Sequence, residues 1–171
     1  MEQVTTAHIL LDKHLNRSCG QECVDWATTM FMQGHQGKNL AALSTMSPPF
    51  NQFEMTKLRD HALEEVSAPD LSMWEAAQIH IAEQLQRALD GEVDLIEVVD
   101  EADGLAMDFF NDYPNSNLFT FSLLHWAYLE LRSEPRSDYW QAATPETIIE
   151  IMREEARKFI TTIPHPDRPN S

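Results

Sequence analysis

The chain has 171 residues, with 12 Lys and Arg against 28 Asp and Glu, giving a formal net charge of −16. Its 43% hydrophobic and 9% aromatic content, including four Trp and eight Phe, excludes a disordered, solvating polymer. A negative field of this size repels phosphate backbones and anionic bilayers and attracts basic partners, which argues against direct binding to nucleic acid or membrane.

Helical periodicity runs through nearly all of the sequence. Val4, Ala7, Leu11 and Leu15 form the stripe of a first predicted helix. Ser18 and Gln21 read as a capping box for a second, whose stripe is Cys19, Cys23, Trp26, Ala27 and Met30. Gly34-His35-Gln36-Gly37 stops it. Leu40 and Leu43 predict a short third helix, cut off at Ser47-Pro48-Pro49. Asn51 caps a fourth, with Glu54 at the reciprocal position and Met55, Leu58, Ala62 and Val66 inward.

Ser72 and Glu75 open a fifth helix, with Trp74, Ala77, Ile81, Leu85 and Ala88 inward and Gly91 at the stop. Asp94 and Glu97 open a short sixth, closed at Asp103-Gly104. The stretch Leu105–Asn115 is less regular and has room for a hairpin. From Leu118 to Leu131 almost no polar face remains, which predicts a buried helix. Thr144-Pro145-Glu146 opens the last helix, with Ile148, Met152, Ala156 and Phe159 inward. Arg153, Arg157 and Lys158 fall near its end, where cations complement the helix dipole.

The expected fold is therefore all-α, a single irregular bundle of about seven helices around a buried central helix (118–132). One domain is expected over 1–160, and a Pro-rich flexible tail over 161–171. A body of about 150 residues buries roughly 70% of the surface its unfolded chain exposes, so the core needs no metal or disulfide staple. The opening residues show no basic segment followed by an apolar run, and no apolar stretch reaches the ~18 residues of a membrane span. The cytoplasm is the expected location, with Cys19 and Cys23 reduced and packed in the core.

Chemical motifs are sparse. None of the seven histidines has a Glu three positions upstream, so the di-iron bundle signature is absent. His61, Glu64 and Glu65 share a helical face but make an incomplete ligand set. His80 and His125 fall on apolar helices and read as hydrogen-bonded core groups. Asp100 to Gly104 resembles part of a calcium loop, but Val99 and Phe110 occupy its first and last ligand positions. No catalytic residue, metal or cofactor is expected.

The remaining signal is charge distribution. Between Arg87 and Arg132 there is no Lys or Arg, while ten acids fall there, from Asp90 to Glu130. A run of like charge costs stability through self-repulsion, and a docking surface for a basic partner accounts for it. The residues expected to form that surface are Asp94, Glu97, Asp100, Glu101, Asp103, Asp108 and Asp112. Phe109 is expected as an aromatic anchor, with Phe110 and Tyr113 nearby.

The function expected on this basis is non-catalytic: binding and masking a basic protein, as a bacterial immunity or antitoxin-type protein masks a nuclease-like toxin. One alternative is a helical-bundle enzyme in which His125, His80 or His61 converges with carboxylates. Another is a scaffold or regulatory subunit that uses an apolar groove.

Overall fold

Capping chemistry decides where most of the helices begin. The computed structural model describes residues 4–109 and 117–163, and among them every regular element is helical. The helices are α1 (Thr6–His14), α2 (Gln21–Met32), α3 (Lys38–Ser44), α4 (Gln52–Glu65), α5 (Met73–Leu89), α6 (Leu95–Asp108), α7 (Phe119–Glu130) and α8 (Ile148–Thr162). The all-α expectation holds, with eight helices among the described residues against about seven expected. The chain divides into two compact units, residues 1–77 and 78–171, with the boundary inside α5. No described helix is long and apolar enough to cross a membrane.

In the first unit, the Thr5 hydroxyl caps α1 by accepting from the His8 N–H, and the Asn51 side chain caps α4 by accepting from Phe53 and Glu54. The expected box at α5 is complete: Ser72 Oγ accepts from the Glu75 N–H, and the Glu75 carboxylate accepts from the Ser72 N–H. The box expected at Ser18 and Gln21 does not form. Gly20 is the N-cap of α2, and the Gln52 amide instead bonds both the N–H and the C=O of Cys19.

Cys19 and Cys23 are buried as expected, but they are joined in a disulfide and are not free thiols. The turn at Gly20 leaves their Cα atoms 5.7 Å apart, within disulfide range. Trp26 is fully buried, and its indole N–H donates to Thr6 Oγ1 at 3.1 Å, which joins α2 to α1.

Helix α3 packs against α2 and α4 and is capped from a distance. The Glu65 carboxylate, at the end of α4, accepts from the backbone N–H groups of Asn39 and Leu40 and from the Asn39 amide. Desolvation opposes ionisation of Glu65, but these bonds and the Lys38 charge outweigh it and hold the carboxyl below its ordinary value of 4.5. Gly37, the N-cap of α3, has φ 177°, which any residue adopts. What excludes a side chain there is the Glu65 carboxyl group, which a Cβ would overlap.

In the second unit α7 packs against α6 and α8, with Phe121 and Phe159 edge to face at 5.3 Å. Helix α6 does not close at Gly104 but continues to Asp108, so Leu105–Asp108 is helical and not a hairpin arm. Its buried stripe of Val98, Ala102, Leu105 and Phe109 keeps the helical period across the glycine. Residues 110–115 of the proposed hairpin lie outside the described residues.

Helix α8 begins at Ile148, after a turn at Thr144, and Thr161 and Thr162 extend it into the segment read as tail. Its last turn carries no base. Arg153 and Arg157 bond Glu150, and Lys158 bonds Glu155, so these cations are used in side-chain pairs.

Three predictions follow from this architecture. Glu65→Gln should cost about 1 kcal/mol at neutral pH, the worth of a helix cap. Because the folded value of Glu65 is depressed, its contribution is present above 4.5 and is lost as pH falls through the folded value. Urea denaturation of both proteins across the acid range should therefore show the gap closing at low pH. Gly37→Ala should destabilise the wild type and do so less in a Glu65→Ala background, which removes the carboxyl group but keeps the Glu65 Cβ 2.9 Å from the added one, read as a double-mutant cycle. Gly104 is exposed and helical, and an added Cβ there meets open space. Gly104→Ala should raise stability by about 0.5–1 kcal/mol, measured the same way.

Candidate functional site

Helix α6 starts at Asp94, whose carboxylate accepts from the Ile96 N–H at 2.7 Å. At 3.6 residues per turn, Glu101 and Asp103 border the apolar stripe on opposite sides. Each meets a histidine from a neighbouring helix. Glu101 Oε1 lies 2.9 Å from His80 Nε2 on α5, and Asp103 Oδ2 lies 2.9 Å from His125 Nδ1 on α7. Asp100 Oδ1 is 3.4 Å from the other ring nitrogen of His125. His80 is 2% exposed, and Asp103 is buried as well. The remaining acids of α6 point outward: Asp94, Glu97, Asp100 and Asp108 are exposed.

The acids read together from the sequence are thus separated by the fold. Asp94, Glu97, Asp100 and Asp108 share the solvent side. Glu101 is half-exposed and engaged, and Asp103 is internal. Phe109 is 2% exposed and belongs to the core, because it continues the Val98–Leu105 stripe by one turn; it is not a surface anchor. Asp112, with Phe110 and Tyr113, lies outside the described residues. His61 lines an open groove of about 570 Å³ with Phe53, Lys57 and Asp60, while Glu65 turns away to cap α3, so the trio on α4 is not assembled.

A second correction concerns α7. Phe121, Leu124 and Ala127 are buried, as are Leu118 and Leu131 at its ends, but Trp126 and Leu129 are exposed. Trp126 is 45% exposed and Tyr139 is 49% exposed; their ring centroids are 6.2 Å apart. Trp126 is also 6.1 Å from the His125 ring. Tyr139 is held in place by a tight turn: Ser137 Oγ accepts from the N–H groups of Tyr139 and Trp140, and the Glu130 carboxylate accepts from the Asp138 N–H. A row of rings therefore ends at Asp100 on the acidic side of α6.

The sequence held one signal for this pair. Glu130 is the one Asp, Glu, Lys or Arg of α7 and must face water, and Trp126 lies one turn before it. Compared with family models, with curated proteins and with solved structures, the chain matches none.

Inner and outer acids should separate in mutagenesis. Asp103→Ala leaves His125 without its closer carboxylate and should cost about 3 kcal/mol, the scale for breaking a buried pair. Asp94→Ala removes a cap and should cost about 1 kcal/mol. Glu97→Ala and Asp108→Ala should stay within about 0.5 kcal/mol. Chemical denaturation of the four variants at one pH checks the order.

Proposed function

We propose that this protein is a non-catalytic binding protein that uses the outward side of α6, together with the adjoining edge of α7, to dock and mask a basic protein. The observation that carries this reading is an acidic helix face without local cations. Asp94, Glu97, Asp100 and Asp108 are exposed, no Lys or Arg occurs between Arg87 and Arg132, and the histidines meeting α6 are engaged with Glu101, Asp103 and Asp100.

Elsewhere in the second unit several cations are matched locally: Arg87 with Glu92, and Arg153, Arg157 and Lys158 with acids of α8. The field of α6 is left to act outward, where it steers a basic partner and rejects an acidic one. The concrete form proposed is a bacterial immunity or antitoxin-type protein. A nuclease toxin has an electropositive site because it must hold phosphates, and an anionic surface complements it.

Histidine–carboxylate pairs also favour an enzyme at first sight. In His125, however, both ring nitrogens face carboxylates, so neither is left to exchange a proton with a substrate. The pairs are better suited to fixing α6 between its neighbours.

The test is affinity capture from the source cell lysate with the wild type and with a Glu97→Gln/Asp100→Asn/Asp108→Asn variant, at low and high salt, read by mass spectrometry. A basic protein retained by the wild type at low salt, released at high salt and lost with the variant is the expected outcome. Equal retention by both proteins, or no basic protein at either salt, overturns the reading.

A further inference from the structure

The acidic face fixes the sign of a partner but not its chemistry, and the aromatic pair beside it narrows that choice. Trp126 and Tyr139 are large, exposed and adjacent, and both stand on held backbone: one on α7, the other on the Ser137 turn with its Glu130 contact. Rigid aromatics at low entropic cost are the usual anchors of an interface. They adjoin His125 and, through it, Asp100, whose side chain is 69% exposed. An aromatic face beside a carboxylate attracts a cation, and a planar guanidinium gains more than an ammonium, because it can stack on the ring and bond the carboxylate with its fork of N–H donors.

We infer that the Trp126–Tyr139 pair is the anchor for an arginine side chain of the basic partner, with the exposed acids of α6 engaging the cations that flank it. This rests on the proposed docking role of α6 and adds to it a residue-level specificity: arginine over lysine. Leu129, also exposed and one turn beyond Trp126, supplies apolar surface for the arginine stem.

The experiment titrates the full chain with nona-arginine and nona-lysine peptides at physiological salt, by calorimetry and by the indole NMR signal of Trp126, assigned through its loss in Trp126→Leu. Trp126→Leu keeps an apolar group at a half-exposed position while removing the ring, and Tyr139→Leu is the second variant in case the first disturbs α7. The expected result is nona-arginine binding at least about threefold tighter than nona-lysine, the scale of a cation–ring contact at an exposed site. The Trp126 indole should shift on nona-arginine addition. Each variant should lower the arginine-to-lysine preference by at least about threefold and leave nona-lysine affinity unchanged within a factor of about two.

Preference for arginine that survives both variants, or no preference in the wild type, overturns the anchor and leaves the acidic docking face standing. Failure of both peptides to bind the wild type overturns the anchor and the docking role together. Peptide-independent self-association that Trp126→Leu abolishes assigns the pair to a second copy of the chain and likewise overturns the anchor. A Glu97→Gln/Asp108→Asn variant should weaken both peptides by the same factor, which separates the charge contribution from the ring contribution.

Discussion

Two histidine–carboxylate contacts fix the role of α6. His80 on α5 and His125 on α7 each reach a carboxylate at the border of its apolar stripe, at 2.9 Å. Asp103 is buried, and a carboxylate taken from water without a partner costs several kcal/mol, so the His125 imidazole is what makes it tolerable there. The contacts also fix the rotation of α6 about its own axis. Once Glu101 and Asp103 are directed to α5 and α7, the arc holding Glu97, Asp100 and Asp108 has no direction left but outward. The exposed acidic face is therefore a consequence of how the helix is buried.

That face is expensive to keep. Charges of one sign on a single helix repel, and several other acids of the two units show the usual remedies. Asp12 meets His8 and Arg17, and Glu65 caps α3. Burial disfavours the Asp12 carboxylate, but these two partners outweigh it and hold its pKa below the usual range. Glu150 and Glu155 meet bases on their own helix. On α6 no such base is present. Screening at ordinary salt, over about 8–10 Å, makes the self-repulsion bearable for groups in water. Screening leaves the missing bases of this stretch without a reason, and the proposed docking role would supply one.

Most of the fold was legible because its helices obey local rules. Asn51, Asp94 and the Ser72–Glu75 box cap where the sequence places them, and Gly34 and Gly91 take positive φ at the stops read for them. The failures arose where a distant group overrode a local signal. Gln52 took the place of the Ser18–Gln21 box, and Glu65 capped α3 from another helix. Asn16 and Ser67 adopt positive φ that composition did not mark. Gly104 was read as a stop although the stripe from Val98 to Phe109 runs across it. On α7 the apolar run concealed an exposed edge, because hydrophobicity averaged over a helix does not tell a buried tryptophan from an exposed one.

The candidate surface was half legible for a related reason. Its charge is a property of composition and needs no structure, so Asp94, Glu97, Asp100 and Asp108 were found. Assigning Phe109 as the anchor followed proximity in sequence, whereas a helix sorts neighbours by angle: residues one apart face about 100° from each other. Phe109 follows Asp108 and still points into the core, while Trp126, seventeen positions after Phe109, sits beside the acidic helix because His125 draws α7 onto Asp100 and Asp103. The same imidazole that bonds the inner Asp103 thus brings an aromatic face to the outer acids. Charge and ring answer different demands, since a field selects sign at long range and a plane selects shape at contact. A surface that has both can reject lysine-rich competitors of equal charge, which an acidic helix alone cannot do.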